Sequence, residues 1–291
     1  MNSVSNSELS PFLKWVGGKN KYIDEIVPGF PEFETYYEPF IGGGAIFFHL
    51  KPRKAYISDI NIELINCYQI IRSSICFPLL LSSLDELITK NNKEEFMEIR
   101  KEYNQLKTIH NYSLDDITSE IHPTNESVKI CLQKASYFIY LNKTGFRGLY
   151  RENKKGHFNV PYGNNNNLRS LYNKENMDNI HQFLSASEIQ IHHQSYKDIQ
   201  PTSRDFVYFD PPYDQESSTD FVAYTKEQFK QKDLYEFIQT LPCPFILSNA
   251  PTTKIKEMYS NYPQRVLSGK RSVDIKKIKT VKDIEIIISS N

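Results

Sequence analysis

Tyr36-Tyr37-Glu38-Pro39-Phe40-Ile41-Gly42-Gly43-Gly44-Ala45-Ile46-Phe47-Phe48-His49-Leu50 decides the architecture. Its start is short, aromatic and apolar, as in a β-strand; three glycines follow, and Ala45 opens an apolar helix. Strand, glycine turn and helix make the basic unit of an α/β sheet. With no Cβ at Gly42, the backbone can turn tightly and a ligand can come close to it. Seventeen residues after Gly42, Asp59 ends the next apolar run, Ala55-Tyr56-Ile57-Ser58-Asp59. In α/β nucleotide sites an acid placed there accepts hydrogen bonds from ribose hydroxyls. The spacing is not Gly-x-Gly-x-x-Gly, which argues against a dinucleotide and for another adenosine cofactor. A tight turn that holds no ligand would read the same way.

Outward from this unit, short strand-like runs alternate with helical patterns. Tyr36–Phe40, Ala55–Ile60, Glu188–His193, Asp205–Asp210, Pro244–Asn249 and Asp283–Ser289 are predicted strands, bounded by Gly, Pro, Asn or Asp. Helical periodicity covers Glu63–Arg72, Glu94–Gln105, Val128–Leu141 and Lys226–Thr240. The alternation implies parallel βαβ units in a Rossmann-like, doubly wound α/β sheet. From about Cys76 to Ser185 the pattern is helical, with one glycine-containing basic loop and no convincing core strand. Residues 73–185 therefore read as an inserted, mostly helical domain on a core of residues 1–72 and 186–291.

The 291 residues carry 35 Lys/Arg and 35 Asp/Glu, so the total charge identifies no partner. At 39% hydrophobic and 24% charged residues, the composition is that of a folded globular protein. No run reaches the roughly 18 apolar residues of a membrane span, so no membrane partner is expected. Met1 to Ser10 has neither a cationic start nor an apolar stretch, and no signal peptide is expected. Cys67, Cys76, Cys131 and Cys243 show no Cys-x-x-Cys spacing. Neither a metal site nor a disulfide scaffold is expected, and the reducing cytoplasm is the compartment that fits. Charge is uneven along the chain, however. Cys131–Tyr172 and Gln264–Lys282 each hold seven Lys/Arg against one acid, whereas Asp85–Lys129 holds ten acids and six bases. Two basic clusters on a neutral protein suggest a polyanion held at a defined face, although charge runs are also ordinary solvated surface. Phe146, Tyr150, Phe158 and Tyr162 interleave with the first cluster, which favours nucleic acid.

Asp205-Phe206-Val207-Tyr208-Phe209-Asp210-Pro211-Pro212-Tyr213 carries the chemistry. An apolar strand stops at two prolines, which fix φ and remove two N–H donors. What remains is a carboxylate, bare carbonyls and an aromatic face at the sheet's C-terminal edge, a pocket suited to a planar amine. The N6 lone pair of adenine is delocalised and a poor nucleophile. Hydrogen bonds from that amine to the Asp210 carboxylate and the Pro211 carbonyl favour a pyramidal nitrogen and stabilise its developing positive charge. Tyr213 would stack on the base, worth roughly 1–3 kcal/mol. No cysteine lies near in sequence, which counts against a mechanism requiring a thiolate. A helix-capping strand end would explain neither the tyrosine nor the accompanying motifs. A further loop, Pro11-Phe12-Leu13-Lys14-Trp15-Val16-Gly17-Gly18-Lys19-Asn20, offers amides and ammonium groups to an anionic group.

These three elements, in this order, resemble the Dam-type family of DNA adenine N6-methyltransferases. The resemblance rests on Phe12-Leu-Lys-Trp-Val-Gly-Gly-Lys19, Glu38-Pro-Phe-Ile-Gly-Gly-Gly44, Ser58-Asp-Ile-Asn61, Gly148-Leu-Tyr-Arg151, Phe158-Asn-Val-Pro-Tyr-Gly163, Asp210-Pro-Pro-Tyr213 and Ser248-Asn249. It implies a methyltransferase sheet, S-adenosyl-L-methionine as methyl donor and no metal. Trp15, Lys19, Asp59 and Asp210 match positions that contact the donor; Phe40 and Gly42 line the same pocket, and Tyr196 covers its adenine. It also implies duplex DNA with the target adenine flipped out, residues 73–185 as target-recognition domain, and transfer at a short site, best matched by GATC. Arg151 then reads a guanine, and Leu149 and Pro161 touch a thymine methyl. Lys14 contacts the outer guanine, Phe146 wedges into the stack, and Arg147 adds a base or phosphate contact. Arg147 stands where Asn is commoner, Asn164–Asn167 replaces a more basic turn, and Ser272-Val-Asp-Ile-Lys-Lys277 replaces a Ser-rich linker. Nucleoid association and a cognate restriction endonuclease at the same site are compatible partnerships. A catalytically silent DNA-binding module and an RNA adenine methyltransferase remain open alternatives.

Overall fold

The computed structural model describes residues 8–109, 114, 117, 125–164, 168–186, 188–214, 229–270 and 281–290. Its strands are β1 (Tyr36–Glu38), β2 (Lys54–Asp59), β3 (Glu188–His193), β4 (Phe206–Phe209), β5 (Phe245–Asn249), β6 (Gln264–Lys270) and β7 (Val281–Ser289). They form one sheet in the order β3-β2-β1-β4-β5-β7-β6. The first five pair in parallel. β7 then runs antiparallel to both β5 and β6. All six predicted strands are present, within one to two residues at each end. β6 was not foreseen, because Gln264-Arg265-Val266-Leu267-Ser268 reads as part of a basic cluster. It is the sheet's last strand, where polar residues face water and discourage further pairing. Of this run only Leu267 is buried.

The helices are α1 (Ile23–Ile26), α2 (Ala45–Leu50), α3 (Ile62–Arg72), α4 (Cys76–Thr89), α5 (Lys93–Leu106), α6 (Glu126–Thr144), α7 (Lys174–Ala186), α8 (Gln231–Ile238) and α9 (Thr253–Met258). Four start where a polar side chain takes up an orphan amide: Asn61 for α3, Asn92 for α5, Asn125 for α6 and Thr252 for α9. The predicted helix Lys226–Thr240 is realised as the shorter α8, and residues 226–228 lie outside the described residues. So do residues 271–280, which hold four of the seven basic residues of the second cluster and the Ser272–Lys277 segment, and Asn165–Asn167.

Strand alternation divides the apolar residues between two faces. Tyr36, Ala55, Ile57, Phe206, Tyr208 and Ile246 belong to one cluster, with Phe47 of α2 and Ile65 of α3. Tyr37, Val207, Phe209 and Leu247 belong to the other, with Leu234 of α8 and Ile255 of α9. Every residue of β4 is buried, which explains its unbroken apolar sequence. Among the described residues, 73–185 contribute no strand to the sheet. α6 packs on α3, α4 and α5, and Phe96, Tyr103, Phe138 and Leu141 join the first apolar cluster. That span therefore shares its core with the sheet. Within this shared core Lys134 Nζ lies 2.8 Å from Glu63 Oε1, and both side chains are almost fully buried.

Removing one member of that pair strands the other charge in an apolar interior. Lys134→Met is expected to lower unfolding free energy by about 3–5 kcal/mol in urea titrations. Lys134→Met combined with Glu63→Leu should recover most of the loss, since no charge is left unpaired.

Candidate active site

At the edge where β1 and β2 end, Gly42 has φ +47° and Gly44 φ +73°, the left-handed region. A Cβ on Gly42 would come within 2.7 Å of Trp15 Cδ1, so glycine is required there for space as well as for conformation. Gly42 N donates to Asp59 Oδ2 (3.2 Å) and Asn61 N donates to Asp59 Oδ1 (2.9 Å). Tyr68 Oη donates to the Gly42 carbonyl (3.1 Å). Burial pushes the Asp59 carboxyl up to about 6, against the pull of those two amides. Phe40 stacks on Tyr196 with ring centroids 5.4 Å apart. The fold thus brings Trp15, Gly42 and Asp59 together at one turn, and Phe40, just before that turn, stacks on Tyr196.

The second group gathers at the end of β4. Lys19 Nζ lies 2.6 Å from each Asp210 oxygen and 2.7 Å from the Gly17 carbonyl, which it also holds. The same ammonium sits over the Tyr213 ring, 4.9 Å from its centroid. Burial raises the Asp210 carboxyl above the usual range, and the Lys19 charge opposes that rise. Pro211 is buried and Pro212 exposed. Lys19, 191 positions before Asp210 and 194 before Tyr213, is thus brought against both.

Three polar residues that carried no role in the sequence hold this loop. Gln231, the first residue of α8, donates from Nε2 to the Pro212 carbonyl (2.8 Å) and accepts from Asn249 Nδ2 (3.0 Å). Asn249 Oδ1 accepts from Asp214 N (3.1 Å). The Asp214 carboxylate in turn accepts from Thr252 Oγ1 and Lys254 Nζ, each at 2.9 Å. Asn249 lies in the Ser248-Asn249 pair noted above; Gln231 and Asp214 had no recognisable signal. Glu38, quoted in the glycine motif but without a role, is 3% exposed and accepts from Tyr36 Oη at 2.7 Å. Burial lifts its carboxyl to about 8, with Tyr36 pulling the other way and the nearby Asp210 adding to the rise.

The basic loop forms a narrow ribbon. Gly145 bridges to Tyr162 and Glu152 to Phe158. Phe146 N donates to the Pro161 carbonyl (2.9 Å). Phe146 is 45% exposed, and the Arg147 guanidinium lies 5.2 Å from the centre of its ring. Arg147 itself has φ +58°, a strained conformation for a residue with a side chain. Arg151 is exposed, with Nε donating to Asn159 Oδ1 (2.8 Å); Leu149 is half-buried and Pro161 exposed. Lys14 is exposed, but its backbone is gripped by Asn142, whose Oδ1 accepts from Lys14 N (2.9 Å) and whose Nδ2 donates to Lys14 O (2.8 Å) and Gly148 O (3.0 Å). Tyr150 stacks on Trp15 with centroids 5.6 Å apart. The Trp15 loop and the ribbon are therefore in contact, a link that the sequence did not reveal.

A match to one family model spans residues 15–278, and that model is of the D12 class N6 adenine-specific DNA methyltransferases. The chain belongs to that family. It is similar to a type II methyltransferase, M1.LlaDCHI, from Lactococcus lactis subsp. cremoris: 32% identical over 302 residues, covering 100% of this chain and 99% of the relative. The type II methyltransferase M.MjaIII of Methanocaldococcus jannaschii is 31% identical over 92% of this chain and 94% of its own. The DNA adenine methylase of Escherichia coli K12 is 30% identical over 90% and 88%. The expected family and fold class are thereby established, and the chain is an adenine-specific DNA methyltransferase.

The buried acid of this methyltransferase, Glu38, has a consequence for stability. Unfolded, it ionises near 4.5; folded, it keeps its proton to about 8. Between these values only the unfolded state sheds the proton, so stability falls as pH rises through the window and levels off above it. The slope is at most about 1.4 kcal/mol per pH unit. Glu38→Gln should flatten it in urea or thermal midpoints taken from pH 5 to 9. An unchanged slope would mean that Glu38 is already ionised in the fold.

Proposed function

We propose that this methyltransferase modifies the N6 amine of an adenine in a short duplex DNA site, GATC by resemblance, after the base has been flipped out. The observation that carries the proposal is the Asp210 carboxylate, joined through Lys19 to the Tyr213 ring at the sheet edge where the Gly42 turn and Asp59 also lie. Trp15, Lys19, Phe40, Gly42, Asp59, Tyr196 and Asp210 are the residues that would hold S-adenosyl-L-methionine. Their chemistry fits: a glycine with no room for a Cβ, an acid whose oxygens each keep a lone pair for a ribose hydroxyl, and aromatic walls. When bound, that cofactor supplies a methyl group on a positively charged sulfur.

The protein's own groups do the rest. Asp210 and the Pro211 carbonyl accept from the target amine, orient its lone pair outward and offset the charge that develops on nitrogen. Tyr213 holds the ring plane. Alignment of nitrogen, carbon and sulfur for direct in-line transfer is worth as much as ~7–11 kcal/mol, and no covalent enzyme intermediate is needed. The Asn249–Gln231 pair keeps the loop from moving while this happens.

Residues 73–185 act in this reading as the target-recognition domain. Arg151 presents its fork to a guanine; Leu149 and Pro161 contact a thymine methyl; Lys14, Phe146 and Arg147 complete the DNA face. Two relatives bear type II names, which supports a cognate restriction endonuclease acting on the same site as a partner. Among the described residues no single helix is long and apolar enough to cross a membrane, in keeping with work on DNA in the cytoplasm and nucleoid.

Incubation with labelled S-adenosyl-L-methionine and unmodified duplex DNA, followed by mapping of modified adenines, tests the proposal. Binding without transfer would replace it with a silent DNA-binding module, and preference for structured RNA would replace it with an RNA methyltransferase. Asp210→Ala is expected to slow transfer by at least about a hundredfold while leaving duplex affinity within a few-fold. Arg151→Ala should cost roughly 1–3 kcal/mol and relax selection at one base pair. Equal weakening on every sequence would mean that Arg151 touches phosphate instead.

A further inference from the structure

Glu285, on β7, had no role in the sequence reading and none in the mechanism above. It is 3% exposed, and its Oε1 completes no hydrogen bond among the described residues. That oxygen lies 3.9 Å from Lys19 Nζ. Burial raises its carboxyl above the usual range; Lys19 opposes this, Asp210 adds to it, and the hydroxyls of Tyr213 and Ser248 favour its charged form. A buried acceptor left short of a partner is uncommon in folded proteins and calls for an explanation.

The explanation lies in where Lys19 stands. Its ammonium contacts both oxygens of Asp210 and covers the face of Tyr213. On the reading above, which this inference takes as its basis, those are the acceptor and the ring that the target amine needs. An ammonium is a nitrogen with N–H donors, so Lys19 occupies the amine's place with the amine's own chemistry. The base can engage Asp210 only as the lysine withdraws. A withdrawn cation in a buried site needs another anion. Glu38 holds its proton to about 8 and is no anion at neutral pH. Lys19 and Glu285 already form a loose ion pair at 3.9 Å, and a shift of about 1 Å would close it to a charge-assisted hydrogen bond with Oε1, which has no hydrogen-bond partner among the described residues.

We propose that Lys19 plugs the target-amine site in the resting enzyme, and that Glu285 is the positioning residue that receives its ammonium when the adenine arrives. Glu285 then acts through Lys19 and touches neither base nor cofactor.

Single-turnover transfer at saturating cofactor tests this with four variants. E285Q should transfer at least tenfold more slowly, with KM, duplex Kd and cofactor Kd within about twofold of wild type. E285D, which keeps the charge, should recover to within about threefold. In a K19M background there is no ammonium to receive, so K19M/E285Q should be less than twofold slower than K19M. Normal transfer by E285Q, or an E285Q loss as large in K19M as in wild type, overturns the proposal. A second measurement does not depend on the folding of E285Q. Without cofactor, K19M should bind a duplex carrying adenine at the target at least threefold more tightly than wild type. Equal or weaker binding overturns the plug. If wild type itself transfers no methyl to duplex adenine, the proposed function falls and this inference with it. Wild-type transfer alongside an unaffected E285Q overturns this inference alone.

Discussion

The parallel ladder that sets β1 between β2 and β4 governs everything at the site. Tyr36 pairs with Ala55 on one side and Phe206 on the other. Because the three strands point the same way, the chain leaves them at one edge, delivering Glu38, Asp59 and Asp210 within a few residues of each other's level. The helices that follow diverge: α2 and α3 pack with one apolar cluster, α8 and α9 with the other. Strand order reverses between β1 and β4, the point at which open α/β sheets form their ligand crevice. A slip of one residue in β1 would exchange Tyr36 and Tyr37 between the faces and bury the wrong set. Hydrophobic patterning thereby holds a polar site in register.

The polar site is constrained in turn by where its charges can go. Three carboxyl groups and one ammonium share a volume from which water is largely excluded. Glu38 remains neutral at physiological pH, leaving Asp210 and Glu285 to divide one positive charge. Such a group is stable only as a set, which ties β1, β4, β7 and the Lys19 loop together electrostatically as well as by packing.

Several parts of this arrangement could be read in the amino-acid order. Strong local signals announce the parallel strands: glycine at the turn after β1, paired prolines after β4, β-branched residues within. Asp59 and Asp210 stand out because a carboxyl group closing an apolar run has few structural uses. β6 stayed hidden because an edge strand is selected for polarity and imitates a solvated basic segment. Glu285, in Ile284-Glu285-Ile286-Ile287-Ile288, looks like the outward-facing member of an ordinary alternation. It points instead to a buried cluster, because β7 is an interior strand with neighbours on both sides. Gln231 and Asn142 act through backbone groups distant in the chain, so neither composition nor spacing hints at them.

One further consequence comes from the seam between the ribbon and the Trp15 loop. Asn142 binds both edges of that seam, Tyr150 lies against the indole, and Gly148 has its missing Cβ filled by Lys14. The described buried apolar residues of the helical span also belong to the same cluster as those of the sheet. Engineers who exchange the ribbon for a relative's, to test whether it selects the sequence marked, would leave a gap unless the indole, the tyrosine and the asparagine travel as one graft.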